Sequence, residues 1–408
     1  MIKSTEKPFQ GLDFLRGLGI FILLILHSAF YYYGGLFDLD LENPPLIITV
    51  IGFLLMFAGL FAIISGAVHG ISMHRLVRHH GWSLSRIAAK KLSSAVFVLV
   101  VAYVYFIFTG PGLSDFANRR MNNSILVEWI RQGRWAGFNL ERLLYVDSLV
   151  MIGCNILMVS LIWLGLMKLN QLKAPVLLGL TGAVLLLSLL RLPLYPYYLE
   201  QVNQRNWAQV LMLNWLVNKN NPTLPFLAFG LLGSWLGLRL EEKRSNRPAL
   251  LLGFGLLLMG AAMYIFLPDT MLQRAIDLKW YSIMITQMGL FILLFLAAIA
   301  AFDRKKPGRL GGAILHFFRR FGTAGLTAFF WESVVAALAW RGLTTLVPDL
   351  QLGIGGALLF GLGSALLWGL ILFLWEKKNY AGSIEHLYAL FVSRFGGSST
   401  KGHKLKQL

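Results

Sequence analysis

The sequence is dominated by apolar segments long enough to cross a lipid bilayer. A transmembrane helix needs about 20 apolar residues to span the hydrocarbon core. Ten windows of roughly this kind lie at 12–33, 45–72, 92–109, 145–167, 174–192, 223–238, 249–267, 280–302, 323–346 and 353–375. Since a spanning backbone must satisfy its own hydrogen bonds, we expect an all-α polytopic integral membrane protein with about ten transmembrane helices.

The basic residues predict the orientation of these helices. The chain carries a net charge of +18, with 57% hydrophobic and only 14% charged residues, whereas a soluble domain has about 25% charged residues. If residue 1 is cytoplasmic, 25 Lys and Arg residues fall on the cytoplasmic side and 11 elsewhere outside the first window. This positive-inside bias predicts that both termini are cytoplasmic. It favours a multi-pass protein of a bacterial inner membrane over a nucleic-acid-binding protein.

Several common kinds of site are absent from the sequence. Cys154 is the single cysteine, so an intrachain disulfide framework and a cysteine-rich metal site are excluded. No dinucleotide-binding glycine motif, P-loop or HExxH motif occurs. Four histidines surround the second connection, but no cysteine or carboxylate joins them in a ligand pattern, and we expect no metal. They are His69, His74, His79 and His80.

The first window contains three polar residues that hydrocarbon disfavours. An ionised side chain at mid-membrane costs at least ~2.5–3.5 kcal/mol. Arg16 and His27 lie eleven residues apart, which places them within about 20° of each other around one helix. Asp13 precedes Arg16 by three residues and can pair with it. A rise of about 16 Å from Arg16 predicts that His27 lies near the middle of the membrane.

These residues have a functional and a structural interpretation. Arg16 offers a permanently charged fork for a phosphate or carboxylate at the cytoplasmic end, and His27 can exchange a proton near neutral pH. The alternative is an Asp13–Arg16 couple that reaches the interface and a histidine that bonds a neighbouring helix. Both interpretations remain open on the residues alone.

Glu332 is the only acidic residue in the middle of a predicted span. A carboxylate at this depth needs a partner. His27 is one candidate, with Glu332 orienting its ring. Arg341 is the weaker candidate, because nine residues place it on the opposite face of the same helix. A purely structural interhelical pair is the alternative.

Six phrases in order resemble one superfamily of membrane enzymes. Arg16, ten intervening residues and His27 resemble the hallmark of acyltransferase family 3, and "LDFLRGLGI" (12–20) is similar to the opening of heparan-α-glucosaminide N-acetyltransferase relatives. The later phrases are "FAIISG" (61–66), "YVDSLVMIGCNIL" (145–157), "LPFLAFGLLGSWLG" (224–237), "RFGTAGLTAFFWESVVA" (320–336) and "NYAGSIEHLY" (379–388). Glu332 stands where relatives tend to have Gln or His, and Ser383 replaces a closing Pro.

The resemblance implies transfer of an acyl group, usually acetyl, from cytoplasmic acyl-CoA. The acceptor would be a hydroxyl or amine of an envelope glycan, a glycolipid or a small molecule arriving from the other side. His27 would be the catalytic group, and Arg16 would bind the donor or organise the site. The resemblance leaves open the acceptor, the acyl length, an acyl-histidine intermediate and the oligomeric state, including a homo-oligomer.

A basic cluster on the cytoplasmic side could bind the phosphates of coenzyme A, because arginine forks match phosphate geometry. The positive-inside bias alone would also place basic residues there. The cluster consists of Arg75, Arg78, Arg86, Lys90 and Lys91, with Arg319 and Arg320.

The remaining predictions concern supporting structure. Asp147 is either a helix N-cap or an acceptor contact, and Asn155 is expected to bond a neighbouring helix. The glycines of "GLLGSWLGL" (230–238) predict close helix packing rather than a nucleotide loop.

The two long external segments and the end of the chain lie outside the predicted spans. Segments 110–144 and 193–222 mix aromatic, charged and Asn residues, which fits either interfacial anchoring or the wall of an external pocket. We divide the chain into a transmembrane acyltransferase domain at 1–376 and a cytoplasmic tail at 377–408. The tail should begin with an amphipathic helix on the inner leaflet and end disordered in "GGSSTKGHKLKQL".

Two other functions fit the same polar residues. A proton-coupled transporter or flippase could use Asp13, Arg16, His27 and Glu332 as a relay and substrate path. A non-catalytic membrane scaffold or receptor would need none of them for chemistry.

Overall fold

The computed structural model of the protein describes residues 9–40, 43–116, 118–135, 137, 140–268, 276–304 and 307–396. In these residues, nine helical segments are long and apolar enough to cross a membrane. A tenth span exists if two helices joined by a 79° bend, Arg309–Thr323 and Gly325–Leu346, are counted together. The prediction of an all-α, multi-pass membrane protein is therefore confirmed.

The first half of the chain forms ten α-helices and one short hairpin. The helices are α1 (Gln10–Tyr32), α2 (Leu46–Leu55), α3 (Ala58–Arg78), α4 (Leu84–Val104), α5 (Ile125–Gln132), α6 (Leu140–Leu144), α7 (Ser148–Lys168), α8 (Ala174–Leu187), α9 (Arg191–Asn203) and α10 (Trp207–Val217). A π-helical turn, Tyr105–Thr109, continues α4. Strands β1 (Leu113–Asp115) and β2 (Arg120–Asn122) pair antiparallel. Short 3₁₀ turns lie at Leu36–Asp38 and Ser188–Leu190.

The second half is helical throughout its described part. It comprises α11 (Thr223–Glu241), α12 (Arg247–Phe266), α13 (Leu278–Ile299), α14 (Arg309–Thr323), α15 (Gly325–Leu346), α16 (Ile354–Glu376) and α17 (Ile384–Gly396). A π-helical turn, Ala300–Arg304, follows α13.

Two predicted spans differ from the helices in the structure. The window 45–72 is interrupted between Leu55 and Ala58, so α2 and α3 are separate helices. Helix α4 begins at Leu84, eight residues before the predicted start at 92. Its first turns are basic, so an apolar window omits them, whereas the Ser83 hydroxyl caps the helix by accepting the Arg86 amide hydrogen at 3.4 Å.

Glycines allow α3 and α11 to pack backbone against backbone. A Cβ atom on Gly233 would lie 2.0 Å from the Ile63 carbonyl oxygen, and one on Gly66 would lie 2.0 Å from the Gly230 carbonyl oxygen. The Asn155 amide of α7 donates to the Phe226 carbonyl of α11 at 3.2 Å. The predictions of close packing at 230–238 and of an interhelical bond from Asn155 are confirmed.

Helix α1 lies inside the bundle and contacts α13, α14, α15 and α16. Small residues set its approach to α14, because a Cβ on Gly17 would lie 1.8 Å from the Phe318 carbonyl oxygen. A Cβ on Gly322 would lie 2.5 Å from the Asp13 carbonyl oxygen. We call the end of the bundle at Tyr32, where residues 110–144 also lie, the outer end; it is the predicted external side.

The start of the predicted tail docks onto the bundle. Helix α16 ends at Glu376, and α17 then packs against α4, where the Tyr388 hydroxyl contacts the Ser94 hydroxyl at 3.0 Å. Polar side chains therefore bind α17 to the bundle, and its predicted place on the inner leaflet stays a prediction. The predicted disordered end begins at Gly396, and its residues 397–408 lie outside the described part of the chain.

Candidate active site

Three side chains meet where α1, α15 and the π-helical turn after α4 converge. The Nδ1 atom of His27 lies 2.8 Å from Oε1 of Glu332. The Tyr105 hydroxyl donates to the same oxygen at 2.8 Å. The predicted pairing of Glu332 with His27 is confirmed. Arg341, the weaker candidate, instead donates to the Ile130 carbonyl at 3.0 Å.

The hydrogen bonds indicate which ring nitrogen of His27 carries its proton. An ionised carboxylate can only accept hydrogen bonds, so Oε1 of an ionised Glu332 takes hydrogens from both the Tyr105 hydroxyl and Nδ1 of His27. The neutral ring then carries its hydrogen on Nδ1, which leaves the lone pair of Nε2 free to accept a proton. The side chain of His27 is 20% exposed, whereas that of Glu332 is 3% exposed. The arrangement is an oriented histidine with one nitrogen accessible.

His27 opens into a narrow cleft at the outer end of the bundle. The enclosed space is about 10 Å³, close to the minimum for one water molecule. The lining residues are His27, Ser28, Tyr31, Tyr32, Pro111, Gly112, Asn123, Val127, Arg131, Glu332, Ser333 and Ala336. Part of segment 110–144 therefore forms the wall of a pocket at the outer end of the bundle, and the external location of this end stays a prediction.

A buried arginine fixes this wall. The Arg142 guanidinium donates to three backbone carbonyls at 2.7 Å each, those of Phe106, Pro111 and Asn122. One side chain thus satisfies carbonyl groups from three separate parts of the backbone. The Ser124 hydroxyl adds a bond to the Gly110 carbonyl at 2.6 Å. These contacts hold the start of the segment over the end of α4.

The depth of His27 in the membrane stays a prediction, but the bounds of α1 give its position along the helix. His27 lies seventeen residues after Gln10 and five before Tyr32 in α1, so it is about 26 Å from the inner end of the helix and about 8 Å from its outer end. The prediction measured only the rise from Arg16. The true bounds of the helix place His27 in its outer half.

The structure does not bring Arg16 to the cleft. The Arg16 side chain pairs with Asp13, Nη2 to Oδ1, at 3.2 Å, which confirms the predicted contact. Arg16 lies about 16 Å along α1 from His27 and is not among the cleft residues. Its Nε atom is buried and has no hydrogen-bond partner. Arg16 therefore cannot contact a reacting group that is bound at His27. Any role of Arg16 in the reaction would be exerted at the other end of α1.

The basic residues predicted to bind coenzyme A lie at the inner ends of α3 and α4. Arg75 is occupied by Glu241, with its Nε and Nη2 atoms 2.9 and 2.5 Å from Oε1. Lys91 is buried and donates to the Ser72 hydroxyl at 3.1 Å. The side chains of Arg86 and Lys90 lie over the Trp82 ring. Arg78 occupies the last turn of α3 and is exposed.

The two other basic residues of the predicted cluster lie on α14. Arg320 is bound to Glu376 at 2.8 Å, and Arg319 interacts electrostatically with Asp13. The cluster therefore lies along the inner face and does not converge on the cleft.

Asp147 is an N-cap. Its carboxylate accepts the Val150 amide hydrogen at 2.9 Å, which confirms one of its two predicted roles. It is buried and is not among the residues that line the cleft. No acceptor contact is assigned to it.

Sequence reasoning missed several residues that build the cleft. Tyr105 stands in the apolar run "VVAYVYFIFTG" (100–110), where nothing distinguishes it from a packing residue. Arg131, Asn123 and Arg142 belong to segment 110–144, whose composition predicts a role for the segment as a whole and not for single residues. Within the described residues, no group of three or more His, Cys, Asp or Glu side chains is suited to a metal ion.

No protein-family model matches the chain, and no curated protein is significantly similar to it.

Proposed function

We propose that this protein is a membrane-embedded acyltransferase. It transfers an acyl group, acetyl by the resemblance of its first helix, from acyl-CoA to a hydroxyl or amine of an acceptor in the cleft. The observation that carries the proposal is the hydrogen-bonded series Tyr105–Glu332–His27, which ends in an accessible ring nitrogen. A histidine oriented by a carboxylate is the arrangement that general-base catalysis requires.

The reaction assigns one task to each of these side chains. Nε2 of His27 takes the proton from the acceptor as its oxygen or nitrogen attacks the thioester carbonyl carbon. The new C–O or C–N bond forms and the C–S bond breaks. The imidazolium then returns the proton to the leaving thiolate. Glu332 stabilises the positive charge of the ring during this cycle, and Tyr105 holds the carboxylate in place.

The dimensions of the cleft suit an acceptor group better than a whole substrate. Space for about one water molecule admits a hydroxyl or an amine to His27. The same narrowness limits how many water molecules can compete with the acceptor for the thioester. Proton transfer by a positioned base contributes about 10²–10⁴-fold to such a reaction.

The donor would approach from the opposite end of α1. Arg16 and the exposed Arg78 at the end of α3 are on that side, where phosphates of acyl-CoA would meet them. The separation of about 16 Å between Arg16 and His27 requires an extended donor, with its phosphates near Arg16 and its thioester near His27. Acyl-CoA has this form, because its thioester lies at the end of an extended arm that is attached to a nucleotide.

The test is an assay of purified protein in detergent with labelled acetyl-CoA and extracts of envelope lipids and glycans. We expect a product heavier by one acyl group with the unmodified protein and with His80→Ala, an exposed histidine outside the cleft. His27→Ala should lose product formation while keeping its expression and thermal stability. Vectorial substrate flux without covalent change would contradict the proposal and favour a transporter. Full activity of His27→Ala would remove His27 from the mechanism.

A further inference from the structure

Two arginines at the outer end of the bundle differ in their partners. The Arg134 Nε atom lies 3.0 Å from Oε1 of Glu128. Arg131, three residues earlier, lines the cleft together with His27. Its guanidinium lies over the Tyr32 ring, 5.2 Å from the centroid. In the part of the chain that the structure describes, no carboxylate lies within ion-pair distance of Arg131.

The acidic side chains near the cleft are occupied by other groups. The second oxygen of Glu128 accepts from the Asn123 amide at 2.8 Å. Glu332 is engaged at the floor by His27 and Tyr105.

The neighbouring rim arginines also have acidic partners. Arg119 pairs with Asp38, and Arg120 pairs with Asp115. Among the described residues at this end, the guanidinium of Arg131 is therefore a positive charge that borders the cleft without a carboxylate to balance it.

The narrowness of the cleft places most of any acceptor at this rim. Only a group the size of a water molecule reaches His27. The atoms next to the reacting hydroxyl or amine must then lie among the residues of the mouth, where Arg131 and Tyr32 are. A guanidinium binds an oxyanion well, because its planar fork donates two parallel hydrogen bonds to a phosphate or carboxylate.

We propose that the acceptor carries a phosphate or carboxylate close to its reacting hydroxyl or amine, and that Arg131 binds this oxyanion at the mouth of the cleft. The inference rests on the proposed function for the reacting group. It adds the chemical class of the acceptor. Arg131 is a binding residue in this scheme and takes no part in proton transfer. A phosphorylated or acidic sugar and an anionic lipid headgroup share this chemistry.

The experiment measures binding without any acyl donor, so it does not depend on catalysis. Glucose 6-phosphate and glucose are titrated onto protein in a neutral detergent and followed by saturation-transfer NMR. We expect the phosphorylated sugar to bind about tenfold more tightly, as for one charge-assisted contact. High salt should reduce this difference, because an exposed contact is screened.

Variants of the two arginines separate a specific contact from general positive charge. Arg131→Gln should remove the preference, and Arg131→Lys should retain part of it. Arg134→Gln should keep it, because Arg134 is occupied by Glu128. Equal binding of the two sugars by the unmodified protein, or an unchanged preference in Arg131→Gln, would overturn the proposal. If the unmodified protein prefers the phosphorylated sugar through Arg131 but transfers no acyl group, the result counts against the proposed function and not against the oxyanion site.

Nanodiscs distinguish the two sources of the oxyanion. If phosphatidylglycerol competes with glucose 6-phosphate in the unmodified protein but not in Arg131→Gln, the oxyanion belongs to a lipid. If phosphatidylglycerol has no effect on an Arg131-dependent preference, the acceptor is a soluble or glycan-borne anion. Either result supports an oxyanion site at Arg131.

Discussion

His27 and Glu332 are 305 positions apart in the chain, yet their Nδ1 and Oε1 atoms lie 2.8 Å from each other. The register of α1 and α15 explains the contact. Gly325 starts α15 beside Ile20, where an added Cβ would lie 3.3 Å from the Ile20 side chain. His27 and Glu332 each follow seven residues later, so both rise by about 10 Å to the same level. The junction at Gly325 thus sets the height at which the base meets its carboxylate.

Substitution of Glu332 should separate the role of its charge from the role of its hydrogen bonds. Glu332→Gln keeps an oxygen that can accept from Tyr105 and His27 but cannot stabilise an imidazolium by charge. We expect turnover of acyl transfer to fall by about 10²-fold, within the range of general-base effects. Glu332→Ala should be more severe, because it also leaves the buried Tyr105 hydroxyl and Nδ1 of His27 without an acceptor. Wild-type turnover in both variants would exclude Glu332 from the reaction.

Tyr105→Phe should lower turnover by about tenfold, which corresponds to about 1.4 kcal/mol, or one hydrogen bond to a charged group. The measurement is a double-mutant cycle with Glu332→Ala, in which the effect of Tyr105→Phe should disappear. Tyr103→Phe is the matched control on the same helix, because the Tyr103 hydroxyl accepts from Trp215 at 2.7 Å and does not contact Glu332. Additive effects of Tyr105→Phe and Glu332→Ala would show that the two residues act independently.

Helical spacing and the cost of buried charge predicted the His27–Glu332 part of the site, but they did not predict Tyr105. Helical spacing placed Asp13, Arg16 and His27 on one stripe, and the cost of a carboxylate in hydrocarbon required a partner for Glu332. These inferences need only the geometry of single helices and an elementary energy. Tyr105 contacts Glu332 across 227 positions, and a tyrosine in an apolar run carries no sign of such a partner.

The depth of His27 and the wall of the cleft depend on tertiary structure. A rise counted from Arg16 gives a distance along α1 but not the position of the helix relative to its neighbours. Segment 110–144 has a composition that suits an interfacial anchor equally well. Its position over His27 follows from the bonds of Arg142 to three carbonyls, which composition does not encode.

Gly233→Ala should destabilise the bundle. The new Cβ would lie 2.0 Å from the Ile63 carbonyl oxygen, so α3 and α11 must separate, at a cost of about 1–3 kcal/mol typical of overpacking. Gly255→Ala on α12 is the control, because nothing lies within 4 Å of its added Cβ. Alanine favours a helix over glycine by about 1 kcal/mol, so this variant should be neutral or stabilised. Thermal unfolding in detergent measures both, and equal midpoints would contradict close packing as the role of Gly233.

Glu385 connects α17 to the helix that carries Glu332. Its carboxylate accepts the amide hydrogens of Leu326 and Thr327 at 2.6 and 3.1 Å and the Thr327 hydroxyl hydrogen at 2.5 Å. The Ile384 amide donates to the Thr327 hydroxyl oxygen at 2.9 Å. The second and third amides of α15 are thus capped by a side chain of α17.

Docking of α17 should weaken as the pH rises. Burial raises the pKa of Glu385, although hydrogen bonds from Thr327 and from the backbone oppose this shift. The docked carboxyl therefore holds its proton more tightly than a released one, whose pKa is about 4.3. Stability from this linkage is present below that value and is lost as the pH rises through the docked pKa. Spin labels at Leu387→Cys and Val96→Cys, in a Cys154→Ser background, report the α17–α4 distance between about pH 4 and 8. Glu385→Gln should remove the pH dependence, whereas Glu200→Gln, at an exposed position of α9, should retain it. A pH dependence that survives Glu385→Gln would belong to another titratable group.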